Sequence, residues 1–174
     1  MKPSRVVVVL LIALVGTLLL ATPSFASVSL NQYEKQLVSE INKQRAKRGL
    51  AKLRVNGKLV TAARVHSADM GQNKYFDHNS PDGEKWSSRI VRHGYTRAGC
   101  RYWKAGENLY YGAGLYSSPY VVVDQWMSSK AHRAVILTKV FRDVGVGAVK
   151  TEDGYGSIDG VVWFFTLDLG RRVR

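Results

Sequence analysis

The chain has 174 residues, with 26 lysines and arginines against 13 aspartates and glutamates, so its formal net charge is +13. This length suffices for one domain with a hydrophobic core and is short for two. An apolar fraction of 45% excludes a chain that is disordered throughout. The single cysteine, Cys100, excludes a disulfide framework within the chain and a zinc site built from several thiolates.

The first segment has the layout of a secretory signal peptide. A basic start precedes an apolar stretch over residues 6–21, and small residues at Ser24 and Ala26 form a cleavage site. We therefore expect a signal peptide over 1–26, secretion, and a single mature domain over 27–174. The alternative is an uncleaved leader that anchors the protein in a membrane, although the apolar run is shorter than the roughly 20 residues that a bilayer normally requires.

Two amphipathic helices are predicted at the start of the mature chain. Asn31 followed by Glu34 has the spacing of a capping box, and apolar residues then recur at helical intervals until Gly49. Asn56 precedes a second such pattern, whose apolar face includes His66. On that face we expect a core histidine with its polar atoms satisfied rather than a ligand.

Turn signals divide the middle of the chain. The Ser-Pro-Asp-Gly run at 80–83 predicts a turn, and a short helix is predicted over 87–93. Ser118 followed by Pro119 is typical of a helix start, and a further helical turn is predicted over 131–137.

The end of the chain has the pattern of strands. Valines alternate with glycines near residues 144–148, and the segment 161–169 is β-branched and aromatic. The glycine- and aspartate-rich segment 152–160 between them predicts a hairpin loop. After it we expect a short basic C-terminal tail. Helices followed by a terminal antiparallel sheet predict an α+β fold or a three-layer sandwich.

Five short motifs follow one another along the chain, at 66–70, 75–83, 106–109, 126–133 and 144–147. Through them the sequence resembles the bacterial branch of the CAP superfamily, which comprises cysteine-rich secretory proteins, antigen five and pathogenesis-related proteins. The resemblance extends over about residues 37–169. It implies a three-layer α-β-α sandwich with a central antiparallel sheet and a cleft on one side.

The resemblance also implies cleft residues, because the family cleft commonly holds two histidines and two acidic residues. By motif these are His78, Glu107 and His132. The fourth position departs from the pattern, since Ser129 stands where eukaryotic members have glutamate. Three aspartates are alternatives between which the sequence does not choose: Asp82, Asp124 and Asp143.

Two imidazoles and a carboxylate are a ligand set for a divalent metal such as zinc, with a position left for an activated water. A metal bound by His78 and His132 is therefore one expectation for the cleft. A metal-dependent hydrolase, with Glu107 or the unassigned acid as general base, is the corresponding enzymatic hypothesis. These residues lie too far apart along the chain to form a local metal motif, so this expectation depends on the fold.

Basic residues are concentrated after the first predicted helix. Seven of them occur between residues 43 and 58 without an acidic residue: Lys43, Arg45, Lys47, Arg48, Lys52, Arg54 and Lys58. Such a cluster suits a polyanion, and for an exported protein we expect an anionic lipid or a cell-wall polymer rather than nucleic acid. The alternative is a solvated surface that keeps the protein soluble.

The sequence thus favours a secreted CAP-domain protein that acts as a non-enzymatic binding module at the cell envelope. The alternatives are a metal-dependent hydrolase and a carrier of lipid or wall polymer. For the carrier, aromatic residues around the 106–109 motif would supply a stacking surface: Tyr102, Trp103, Tyr110, Tyr111, Tyr116 and Tyr120. The sequence determines neither the oligomeric state nor the role of Cys100.

Overall fold

The structure is a computed structural model that describes residues 28–174, so the predicted leader lies outside the described residues. The helices and strands follow in this order: α1 (Gln32–Ala46), β1 (Arg54–Val55), α2 (Gly57–Asn73), α3 (Trp86–Arg92), β2 (Tyr102–Gly112), a 3-10 turn (Gly114–Ser117), α4 (Pro119–Ser128), α5 (Lys130–Ile136), β3 (Asp143–Thr151) and β4 (Val162–Val173).

Side-chain caps begin the first two helices as predicted. The Asn31 side chain accepts the backbone N–H of Glu34 at 2.9 Å, and the Glu34 carboxylate accepts the backbone N–H of Asn31 at 2.8 Å. Both halves of the capping box are therefore present. The Asn56 side chain accepts the N–H groups of Lys58 and Leu59 at the start of α2. These contacts satisfy amide donors that a helix leaves free at its first turn.

The predicted turns and short helices are also confirmed. The Gly83 N–H donates to the Ser80 carbonyl at 2.9 Å, and Gly83 has a φ of 88° that favours glycine. α3 ends just before Gly94, whose φ is 90°. Pro119 is the first residue of α4, where its missing N–H costs no helical hydrogen bond.

One four-stranded sheet forms the centre of the described residues, with strand order β1-β3-β4-β2. The three long strands are antiparallel: β3 pairs with β4 from Asp143↔Gly170 onwards, and β2 pairs with β4 from Tyr102↔Val173 onwards. The two-residue β1 pairs parallel with β3, which makes the sheet mixed. The predicted antiparallel centre is therefore correct for the long strands.

The helices cover both faces of the sheet, as a three-layer sandwich requires. On one face, α1, α4 and α5 bury a core around Leu37, Trp126 and Phe165. On the other face, α2 and α3 bury two smaller clusters around Leu59 and Phe164. Alternating residues of each strand supply the two faces, because successive side chains of a strand point in opposite directions.

Two features of the strands differ from the sequence-based expectation. β4 extends to Val173, so Arg171 and Arg172 lie in a paired strand rather than in a basic tail. β2 has no counterpart among the predicted strands. It forms one edge of the sheet and carries Glu107. Pairing with β4 along its whole length forms this strand.

Candidate functional site

A buried carboxylate lies at the centre of the candidate site. Glu107 is on β2, and its side chain is 1% exposed. One oxygen lies 2.7 Å from Nδ1 of His78, and the other accepts from the Arg89 guanidinium at 2.6 Å. Arg89 is itself 1% exposed, so this ion pair is fully removed from water. Removing either partner of such a pair destabilises the fold strongly, because it leaves an uncompensated buried charge.

The loop between α2 and α3 places His78 against this carboxylate. Arg89 donates to the His78 carbonyl at 3.2 Å, so one guanidinium fixes both the loop and Glu107. The preceding residue is held from the other side, where Nε2 of His66 lies 2.9 Å from the Asp77 carbonyl. His66 is fully buried on α2, which agrees with the expected core histidine.

Asp168 is an acidic neighbour of Glu107. It lies directly opposite Glu107 in the β2–β4 register and is completely buried. Neither of its oxygens has a hydrogen-bond donor among the described residues. Burial raises the pKa of Asp168 well above its usual range, and the negative charge of Glu107 raises it further. Both effects favour the neutral form of Asp168 beside the Glu107 carboxylate.

His132 approaches from the opposite face of β2. It lies on α5, and its backbone carbonyl accepts from the Asn108 side chain at 3.0 Å. Ser129 caps this helix, because its hydroxyl accepts the His132 N–H at 3.5 Å. Burial lowers the pKa of His132, and the positive charge of His78 lowers it further. The two imidazoles are therefore electrostatic neighbours, although no hydrogen bond joins His132 to Glu107.

The aspartates proposed from the sequence as a fourth cleft residue have other positions. Asp143 accepts from the Tyr95 hydroxyl at 2.8 Å. Asp82 is exposed and accepts a backbone N–H within the 80–83 turn region. Asp124 is exposed on α4. The acid beside Glu107 is instead Asp168, and its signal in the sequence is an ionisable residue inside the apolar run 162–169.

The residues fit a metal poorly in this arrangement. Within residues 28–174, no three histidine, cysteine, aspartate or glutamate side chains form a group that could hold a metal ion. Glu107 does not fit the role of a ligand, because its oxygens already face His78 and a buried guanidinium. Metal binding by His78 and His132 stays a prediction, and no chemical step is derived from it.

A cleft of about 570 Å³ opens in front of His78 and Glu107. Lys85 and Trp86 line it from the α3 side, and Val135 lines it from α5. A cavity of this size is within the range of small-ligand sites. It combines an aromatic ring, a lysine and a half-exposed imidazole over a buried carboxylate.

The contact with Glu107 predicts an unusual titration of His78. Its hydrogen bond to the carboxylate raises the pKa of His78 above its ordinary value. In a proton NMR titration we expect the ring resonances of His78 to shift at a higher pH than those of an ordinary histidine. In Glu107→Gln the midpoint of this titration should return toward the ordinary value. The stabilisation from this contact is present below the pKa of unfolded histidine, about 6.5, and is lost as pH rises through the folded pKa.

His93 is the internal control for this titration. It lies at the end of α3, and burial lowers its pKa, so it titrates on the opposite side of the ordinary value. Glu107→Gln should leave the His93 titration in place. An unchanged His78 titration in the same variant would contradict the assignment of its pKa to Glu107.

The basic cluster is mostly, but not wholly, available at the surface. Arg45 was expected to contribute to it, but its side chain is fully buried. Its guanidinium donates to the carbonyls of Ala51, Ile136 and Phe141, so its charge joins α1 to distant loops. The remaining six residues are exposed: Lys43, Lys47, Arg48, Lys52, Arg54 and Lys58.

The aromatic residues near β2 do not form one surface. Tyr111 packs against Phe164 on the α2 side of the sheet. Tyr116 and Tyr120 are exposed by 67% and 68%, in the 3-10 turn and in α4. None of the six aromatic residues expected to form a stacking surface lines the cleft, where the ring is Trp86.

The fold and the site define a class: a helix–sheet–helix domain with a histidine and a buried glutamate at a sheet edge. The model of the cysteine-rich secretory protein family, CAP, matches residues 38–169. The chain therefore belongs to the CAP family, as the motifs implied.

Two relatives in sequence come from Bacillus subtilis. An uncharacterised protein of Bacillus subtilis, YkwD, is 36% identical over 130 residues, which are 75% of this chain and 48% of that protein. A second one, the uncharacterised membrane protein YlbC, is 33% identical over 66% of this chain and 31% of its own length. The chain thus spans about half or less of the length of these relatives.

Solved structures share the fold. An extracellular protein of Bacillus anthracis that contains an SCP domain aligns with a TM-score of 0.61 at 25% identity, over 83% of this chain and 45% of that one. An outer surface protein of Borrelia burgdorferi aligns with a TM-score of 0.65 at 23% identity, over 83% and 96% of the two chains.

Within residues 28–174, no helix is long and apolar enough to cross a bilayer.

Proposed function

We propose that the chain is an exported CAP-domain protein that binds a ligand in the cleft beside β2 and does not catalyse its conversion. The observation that carries this proposal is the full engagement of the Glu107 carboxylate by His78 and Arg89. A general base needs an accessible lone pair within reach of the proton that it removes. Glu107 has one oxygen on a buried guanidinium and the other on an imidazole, so it orients neighbouring groups.

The protonation of His78 supports a binding role. Glu107 raises the pKa of His78, which favours the imidazolium, a donor at both ring nitrogens. With Nδ1 held by Glu107, Nε2 is the donor that remains for a ligand. Lys85 lines the same cleft and adds a second cationic donor. The cleft therefore suits a ligand rich in acceptor oxygens, with an apolar part placed against Trp86.

Export is the second part of the proposal. It is supported by the predicted signal peptide over 1–26 and by the extracellular Bacillus anthracis relative. Mass spectrometry of the protein recovered from culture medium checks it, and the expected N-terminus is Ser27. Recovery of the intact leader in the membrane fraction would favour the anchored alternative instead.

Retention on isolated cell walls tests the binding role of the cleft. His78→Gln removes the cationic donor while Arg89 still holds Glu107, so we expect the retained fraction to fall by about tenfold, the effect of losing one charge-assisted hydrogen bond. His93→Gln is the matched control, because it replaces a histidine outside the cleft lining. Equal retention of the two variants would refute the cleft as the binding site.

The exposed part of the basic cluster is proposed as a second, electrostatic contact with anionic lipid or wall polymer. Lys47 and Arg48 lie at the end of α1 without an acidic neighbour in sequence. We expect the retained fraction of the double variant Lys47→Glu and Arg48→Glu on phosphatidylglycerol vesicles or cell walls to be several-fold lower than that of wild type. The difference should be largest at low salt.

The control for this contact has the same change in charge at another place. Lys104 and Lys139 are exposed outside the cluster, and their double replacement by glutamate also changes the net charge by −4. A contact that depends on the cluster is lost only in the first pair of substitutions. Equal losses in both would show a general effect of net charge and would contradict a localised surface.

A further inference from the structure

A second basic surface lies at the end of the sheet where β2 begins and β4 ends. Residues 85–106 contain six lysines and arginines and no acidic residue, and residues 169–174 contain three arginines and no acidic residue. The β2–β4 register joins these two segments, because Trp103 lies directly opposite Arg172. The fold therefore brings together cations that are distant along the chain and that lie outside the basic run between residues 43 and 58.

Two aromatic rings support arginines of this surface on the α3 side of the sheet. The ring centroids of Tyr95 and Trp103 are 6.4 Å apart, and the Trp103 indole N–H donates to the Tyr95 carbonyl at 3.1 Å. The Arg97 guanidinium lies 4.7 Å from the centroid of Trp103, and the Arg172 guanidinium lies 5.4 Å from the centroid of Tyr95. Such contacts restrict a long side chain before a ligand arrives, which lowers the entropic cost of binding.

Three arginines form what we call the arginine corner: Arg97, Arg101 and Arg172. The first two are exposed and the third is partly exposed. Within residues 28–174, none of the three takes part in an ion pair. An exposed guanidinium without a carboxylate partner keeps its charge and its N–H donors available to another molecule.

The charges around the arginine corner leave it positive. The nearby carboxylates are already paired with other arginines: Asp143 with Arg54 at 3.8 Å, Glu84 with Arg92 at 2.7 Å, and Glu107 with Arg89 at 2.6 Å. Burial raises the pKa of Asp168, which favours its neutral form. Lys58 of α2 reaches the turn after α3 and adds a further cation. A ligand of this corner should therefore be an anion.

The type of cation indicates the type of anion. A guanidinium presents paired N–H donors that match two oxygens of one phosphate group, which an ammonium does not. Tyr95 is buried and Trp103 carries the Arg97 guanidinium, so these rings support the arginines rather than stack on a sugar or a base. One phosphodiester has a single negative charge, so several unpaired guanidiniums suit a chain that repeats this group.

We infer that the arginine corner binds a polymer whose units are linked by phosphodiester groups. Phosphate oxygens of successive units accept hydrogen bonds from Arg97 and Arg101, and Arg172 adds to the attraction. This surface shares no residue with the cleft lining and lies on the other face of the sheet from α1, which carries Lys47 and Arg48 at its end. The inference thus goes beyond the proposed function.

Fluorescence anisotropy of a labelled glycerol-phosphate oligomer, titrated with the full chain, tests the inference. We expect Arg97→Gln combined with Arg101→Gln to raise the Kd at least about tenfold at low salt, because two charge-assisted contacts are lost. Lys35→Gln combined with Lys130→Gln is the matched control, since it removes the same charge from exposed positions outside the corner. This control should leave the Kd close to that of wild type, and equal Kd values for the two double variants would overturn the assignment.

Two further probes separate the polymer from other sources of phosphate. Glycerol phosphate alone offers one anionic group, so it should bind at least about tenfold more weakly than the oligomer, and equal affinity would contradict a polymer site. Phosphatidylglycerol vesicles carry the same phosphate chemistry in a lipid, and the arginine variant should lose no more retention on them than the lysine control. A loss confined to vesicles would assign the corner to a lipid surface and overturn the polymer. These variants leave His78 intact, so their failure would not affect the proposed cleft.

Discussion

Gly145→Ala is expected to destabilise the protein by about 3 kcal/mol or more, because α2 lies directly on this glycine. A Cβ at Gly145 would lie 2.1 Å from the carbonyl carbon of Leu59 and 2.3 Å from the backbone nitrogen of Val60. These atoms belong to the backbone of the first turn of α2, and backbone atoms cannot turn aside as a side chain can. The whole helix would have to move away from β3, and the core clusters between α2 and the sheet would open with it.

Gly71→Ala is the matched control for this prediction. Gly71 lies in α2 itself, and a Cβ there would meet only the Phe164 ring at 3.4 Å, an ordinary contact. Alanine is favoured over glycine in a helix by up to about 1 kcal/mol, so we expect an unchanged or slightly raised stability. Urea unfolding midpoints of the two variants measure the difference. Similar midpoints would contradict the close packing of α2 on β3.

The same glycine shows what the sequence reveals and what it withholds. The alternation of valine and glycine near residues 144–148 predicts a strand, and β3 confirms it. The reason for the glycines lies in α2, far away in sequence, so no local pattern reveals it. Helix caps behave differently: Asn31 and Asn56 act on amides within three residues, and both predicted helix starts are correct.

β2 escaped prediction for a related reason. Its centre contains Gly106, Glu107 and Asn108, which are weak strand formers, and the last two are both buried. Burial on both faces removes the polar–apolar alternation by which a strand is detected. Pairing with β4 and the helices on either side determine this strand.

The candidate site was predicted in part. The motifs identify His78 and Glu107, and the structure places them 2.7 Å apart. They do not identify Arg89, because α3 carries another arginine three residues later, and only the fold distinguishes the buried Arg89 from the exposed Arg92. Arg45 is the converse case: it lies in a run of basic residues that suggests a solvated surface, yet carbonyls from distant loops bury it.

Arg89→Met is expected to destabilise the protein by about 3–5 kcal/mol at neutral pH, the cost of removing one partner of a buried ion pair. Two buried carboxyl groups, Glu107 and Asp168, then lie opposite each other in the strand register without the guanidinium that pairs with Glu107. A carboxyl group that is protonated only in the folded state makes stability fall as pH rises above the pKa of the unfolded group, about 4. The loss should therefore be larger at about pH 8 than at about pH 5.

Asp168→Asn separates this explanation from general damage to the sheet. Burial raises the pKa of Asp168 first and the charge of Glu107 adds to it, so the folded state favours the neutral form of this side chain. An amide of the same shape is uncharged, like the neutral acid, and we expect a change of less than about 1 kcal/mol at neutral pH. Urea unfolding of both variants at the two pH values decides the matter. If Asp168→Asn cost as much as Arg89→Met, Asp168 would be ionised and would share the guanidinium with Glu107.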